Sequence, residues 1–131
     1  MFCLAYKLQL ANLCDLVMDA WISHDLGENG FPAVDYISEI VERVPVGSAP
    51  WIYAMKSVHY FIAVFRHRDD LVMWSTSALY RLIAGNSEFG LGVLKSMRGQ
   101  EVGMVTVDPR RLPACDYHVH GKEVKCPCKR D

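Results

Sequence analysis

The chain has 131 residues, of which 51% are hydrophobic and 22% charged, and its net charge at neutral pH is −1. That length fits one ordinary domain, able to remove about two thirds of its unfolded surface from water, and argues against two independent cores. A charge so close to zero excludes a chain-wide field that would draw nucleic acid or an anionic membrane to it.

The first predicted element runs from Cys3 to about Leu26, with Leu10, Leu13, Leu16, Val17, Ala20 and Trp21 recurring at intervals of three and four. That is one apolar stripe at helical period, with Gln9 or Asn12 as a break between a short leading helix and a longer one. Gly27-Glu28-Asn29-Gly30 stops it, because Gly and Asn accept the left-handed conformation that ends helices. Phe31-Pro32 opens the next unit, in which Asp35 is the expected N-cap and Ile37, Ile40, Val41 and Val44 form the buried stripe. Pro45, Gly47 and Ser48 mark a stop and restart, with Ser48 as N-cap and Pro50 in the first turn of the following helix.

From Trp51 to Arg66 the sequence is apolar on most of a helical circumference, so this helix is expected at the centre of the fold. The charged turn Arg66 to Asp70 follows, and Asp69 or Asp70 is expected to cap a helix that buries Leu71, Trp74, Ala78, Leu79 and Leu82. Gly85-Asn86-Ser87 ends it, and a last short helix runs from Ser87-Glu88 to Met97, with Gly90 and Gly92 read as helix punctuation. Beyond Gly99 the composition changes. Val102, Met104, Val105 and Val107 alternate as a short extended segment would, and after Pro109 no helical stripe remains. The expected architecture is all-α: a small bundle of about five helices over residues 1–98, followed by an irregular Cys/His-containing tail over 99–131.

The five cysteines are Cys3, Cys14, Cys115, Cys126 and Cys128. Met1–Leu10 is apolar, but no basic region precedes it and no small-residue cleavage site follows. Lys7 and Asp15 interrupt it well short of the ~20 apolar residues of a membrane span. The expected location is therefore intracellular, nucleus or cytoplasm, where cysteines stay reduced or bind metal.

Three passages carry a resemblance. They are Leu4-Ala5-Tyr6-Lys7-Leu8-Gln9-Leu10 with Asn12-Leu13 and Val17-Met18-Asp19-Ala20; Pro32-Ala33-Val34-Asp35-Tyr36-Ile37 leading to Val44-Pro45-Val46-Gly47-Ser48-Ala49-Pro50; and Cys115-Asp116-Tyr117-His118-Val119-His120-Gly121 with Cys126-Pro127. In order and spacing they resemble the C-terminal helical half of the BTB/POZ-domain proteins abundant in filamentous fungi. Trp51 stands where that family carries a basic residue after its Gly-Ser step. The BTB core has no counterpart here, since Met1 falls where the last helices of that domain begin, so the chain is expected to be a truncated form or a remnant. Without that core, Phe2, Leu4, Leu8 and Leu10 are expected to form an apolar patch that seeks a partner. The resemblance implies a protein–protein adaptor whose partners include a BTB core or a ubiquitin-ligase component. Dimerisation, which uses the absent core, is not implied.

The tail spells Cys115-x2-His118-x-His120-x5-Cys126-x-Cys128. Thiolates and imidazoles are the ligands Zn²⁺ prefers, and any four of these five suffice for a structural tetrahedral site. The bland alternative is a tail of reduced cysteines. The tail also carries six cations against three acids from Pro109 onward, a local balance of +3, enough only for weak, salt-sensitive phosphate binding. A small zinc-dependent nucleic-acid-associated protein is thus the alternative reading, and nucleic acid is not the expected partner. Cys115 with His118 or His120 lacks any visible oxyanion loop for nucleophilic catalysis. The Trp and Tyr residues 21, 51, 53, 60, 74 and 80 recur at helical spacing and read as core; His24, His59 and His67 do not read as ligands. No enzyme motif is present.

Overall fold

The computed structural model describes residues 11–28, 30–65, 74–99, 106–112 and 117. Helix α1, Ala11–Gly27, stops at the expected glycine. Its inner face is not the expected stripe. Cys14, Met18 and Asp25 are buried, Val17, Trp21 and Ile22 flank the core, and Leu16 is 64% exposed. The Trp21 ring stands edge-on to Tyr53, centroids 4.7 Å apart, and this contact fixes the helix rotation at the expense of the smaller Leu16.

Helix α2, Val34–Arg43, buries Val34 and Ile37, with Ile40 and Val41 packed beside the core and Val44 buried just past its end. Its N-cap position is Ala33, so Asp35 is no cap; it sits in the first turn, where its charge meets the positive end of the helix dipole. The chain then reverses over residues 45–48, with the Ser48 N–H donating to the Pro45 carbonyl at 3.1 Å and Gly47 at φ +81°. A positive φ at the third position of such a turn is why glycine stands there.

Helix α3, Ala49–Val64, is central as expected: Trp51, Tyr53, Ala54, Ser57, Val58 and Phe61 are all buried, and α2 and a later helix pack on either side. Helix α4, Thr76–Gly85, begins five residues after Leu71, and its cap is Ser75, whose Oγ accepts the Ala78 N–H at 3.2 Å. Trp74 therefore lies ahead of the helix, stacked on Phe61 at 4.3 Å; Asp69, Asp70 and Leu71 fall outside the described residues. Ala78 and Leu82 point inward as expected, whereas Tyr80, read as core, is 71% exposed.

Helix α5, Ser87–Arg98, follows after Asn86 alone. Gly90 and Gly92 are not punctuation, because both lie inside this helix. A β-carbon on Gly92 would stand 2.6 Å from the Trp51 ring, so its absence lets α5 approach α3 closely. Phe89 completes that interface, edge-on to Trp51 at 5.7 Å. Helix α4 closes the bundle by packing on both α2 and α5. A 3-10 turn, Pro109–Arg111, lies across α1 and α3.

Among the described residues the fold is thus a small all-α bundle of five helices with no strand. None of those helices is long and apolar enough to cross a membrane. Most of the alternating 102–107 stretch lies outside the described residues; Thr106 to Asp108 form no regular structure, and Val107 is exposed.

Candidate functional site

The five candidate zinc ligands Cys115, His118, His120, Cys126 and Cys128 all lie outside the described residues, as do Cys3, His67 and the apolar residues Phe2, Leu4, Leu8 and Leu10. Among the described residues no three His, Cys, Asp or Glu side chains converge as a metal would require. Cys14 is buried in α1, and burial together with the adjacent Asp15 charge raises its thiol pKa, which favours an inert apolar role.

The densest polar arrangement lies where the end of α1 meets α3 and the 3-10 turn. Asp25, 7% exposed, sits in the last turns of α1 and accepts a 2.8 Å hydrogen bond from the hydroxyl of the fully buried Tyr53. Backbone bonds from Glu28 N to His24 O and from Gly30 N to Asp25 O fold the chain back after α1 and bring Phe31 alongside. Asp108 caps the 3-10 turn through the Arg110 N–H at 2.9 Å and grips the Arg110 guanidinium with both carboxylate oxygens at 2.7–3.2 Å. The remaining arm of that guanidinium donates to the Gly30 carbonyl at 3.0 Å, and its plane lies over the Phe31 ring at 4.1 Å. Tyr117 donates to the Pro109 carbonyl at 2.9 Å and stands edge-on to Tyr53, with Lys56 over its own ring.

The electrostatics follow from burial. Desolvation raises the Asp25 pKa, offset in part by the Tyr53 hydrogen bond and by the charges of His24 and Arg110. Tyr53 is pushed far up, first by burial and then by the Asp25 carboxylate it serves. Burial works against the Asp108 carboxylate too, yet the Arg110 side chain and N–H, with Arg111 nearby, hold it below its ordinary value. The same pairing raises Arg110. Each of these groups spends its hydrogen bonds on the fold, so the cluster acts as a clasp between chain segments. In the sequence Arg110 counts only as one of the six tail cations, and no motif singles out Asp25. The signal available was the Asp108-Pro109-Arg110 spacing, an acid two residues before an arginine in a proline turn.

A second polar pair crosses the bundle. His59 Nδ1 and Ser96 Oγ are 2.9 Å apart, joining α3 to α5. Acyl transfer at Ser96 would require free backbone donors for an oxyanion, and in the body of an α-helix the amides are bonded to carbonyls four residues back. The pair is a helix tie. His59 is partly buried, in keeping with a half-covered helix face.

The outer surface carries apolar side chains in the open. Leu91 and Leu94, 53% and 55% exposed, lie one helical turn apart on α5, and Tyr80 projects from α4. Comparison of the chain with protein-family models, with curated proteins and with solved structures gives no match. The resemblance to BTB/POZ proteins accordingly stands on its three sequence passages alone.

Proposed function

We propose that the chain is a protein–protein interaction module of the kind formed by the C-terminal half of BTB/POZ adaptors. The observation that supports this reading best is the pair Leu91 and Leu94 on α5, each more than half exposed on a helix whose opposite face is buried. Exposed apolar side chains grouped on one surface are the usual footing for a partner. The clasp and the His59–Ser96 tie are consistent with the same reading, since both spend polar groups on holding helices in place. The resemblance nominates a BTB core or a ubiquitin-ligase component as partner.

The test is binding of the full chain to purified BTB core and to cullin-based ligase components, with Leu91→Glu/Leu94→Glu as the paired variant. Binding that is lost in this variant, with the circular dichroism unchanged, is the expected result. A well-folded monomer that binds none of these proteins overturns the proposal.

The Cys/His spacing of the tail supports a second reading, a structural zinc site with some nucleic-acid association. Metal analysis of the purified chain is expected to find zinc that is lost on Cys115→Ser and His120→Ala substitution. Unchanged zinc content in those variants, or no zinc at all, rules the site out. Titration with DNA at two salt concentrations checks the nucleic-acid half.

A further inference from the structure

We propose that the outer face of α5 pairs with the same face of a second copy of this chain, antiparallel about a two-fold axis. The proposal rests on the reading above that Leu91 and Leu94 are a footing for protein, and it assigns that footing an occupant the family resemblance does not supply. Glu88, Leu91, Leu94, Lys95 and Arg98 are all exposed, whereas Phe89, Gly90 and Val93 are buried on the side that packs on α3 and α4. At 3.6 residues per turn the five exposed positions fall within about one third of the helix circumference. They form one continuous outer strip.

The charges on this strip are sorted along its length. Glu88 stands in the first turn of α5, Lys95 and Arg98 stand in the last, and the two leucines lie between them. The acid and the bases are too far apart to pair along one helix, where side-chain partners stand three or four residues apart. A copy running the opposite way sets Glu88 against Arg98 of the second copy and Leu91 against Leu94, and the two-fold axis repeats each contact. A parallel copy would instead set Glu88 on Glu88 and Arg98 on Arg98, so the sorting selects the antiparallel arrangement. Opposed helix dipoles act in the same sense. The strip is about 18 Å long and one helix wide, short of the about 800 Å² per partner that stable complexes bury, so the dimer is weak, with a Kd on the order of 100 μM. A BTB core or ligase component then meets this face in competition with the second copy.

Sedimentation equilibrium of the full chain from about 10 μM to about 1 mM tests this. A monomer–dimer equilibrium is expected, and Leu91→Glu/Leu94→Glu should leave only monomer. Glu88→Lys alone and Arg98→Glu alone should each weaken association about five- to tenfold, because each sets two like-charge pairs across the axis. The double variant Glu88→Lys/Arg98→Glu swaps the charges and should restore association to within about twofold of wild type. Circular dichroism should be unchanged throughout, since every altered position is exposed. A chain that stays monomeric at the highest concentration overturns the proposal. So does a dimer that is indifferent to the single charge reversals or is not rescued by the double variant. A monomer that binds BTB core or ligase components through Leu91 and Leu94 overturns the self-pairing and leaves the adaptor reading standing. A dimer with the expected charge dependence that binds none of those proteins supports the self-pairing and overturns the adaptor reading.

Discussion

At the residue scale the two serine caps make opposite predictions. Ser75 accepts the Ala78 N–H, whereas Ser48, in the same position before α3, makes no cap bond and its buried hydroxyl oxygen has no partner. Pro50 explains part of this, because the second residue of that helix has no N–H to offer. Ser75→Ala should cost about 1 kcal/mol in urea unfolding, while Ser48→Ala should stay within roughly 0.5 kcal/mol of wild type or gain slightly. The carboxylates of buried Asp25 and partly buried Asp108 likewise act in opposite pH windows. Asp25, raised above 3.8, contributes stability in acid that is lost as pH rises from 3.8 through its folded pKa. Asp108, lowered, contributes stability above 3.8 that is lost as pH falls through its folded pKa. Asp25→Asn should therefore flatten the decline on the alkaline side of 3.8 and leave the acid limb intact in unfolding curves taken across pH. None of this was legible in the sequence beyond the identity of Ser48 as a cap position. Capping bonds and carboxylate burial depend on where the helix axis points, which no local spacing encodes.

At the scale of elements, five helices and most of their boundaries were legible, because Gly27, the Pro45–Ser48 turn and Gly85-Asn86 interrupt clear apolar periods. The errors fall where a tertiary contact outweighs local pattern. The Leu10-to-Trp21 stripe of α1 put Leu16 inside, but one large aromatic contact of Trp21 with Tyr53 turned the helix away from it. Trp74 sat at helical spacing with Ala78 and Leu82, yet stacking on Phe61 holds it outside the helix that Ser75 starts. The glycines of α5 make the same point with a measurable consequence. A β-carbon on Gly92 meets the buried Trp51 ring at 2.6 Å, one on the buried Gly90 meets the γ2-methyl of Ile83 at 2.6 Å with its Cβ and carbonyl oxygen at 3.5 Å, and one on Gly85 meets nothing within 4 Å. Alanine gains about 1 kcal/mol over glycine in a helix, against about 1–3 kcal/mol for forcing atoms into a packed contact. Gly92→Ala and Gly90→Ala should therefore each destabilise the fold by about 1 kcal/mol or more, and Gly85→Ala should stabilise by about 0.5 kcal/mol. Thermal melts of the three variants rank them directly.

For the whole molecule the question is how far the C-terminal part belongs to the helical body. The core closes from α1 to α5 through side chains between Cys14 and Val93, and Tyr117, 1% exposed, belongs to it as well. Tyr117 is also the residue flanked in sequence by the candidate zinc ligands Cys115 and His118. A zinc ion held by the tail would restrict the chain on both sides of that tyrosine, and a bound metal stabilises whatever state it binds. Its removal should then act on the contacts of Tyr117 and Arg110 before the bundle, because no three metal-ligating side chains converge among the described residues. On addition of a chelator to zinc-loaded chain, exchange at the Arg110 and Arg111 amides should accelerate, while helical circular dichroism and α3 exchange stay unchanged. A chelator that collapses the helical signal would instead place the metal inside the folding unit of the bundle. Unchanged exchange at those two amides would separate the tail metal from Tyr117 altogether.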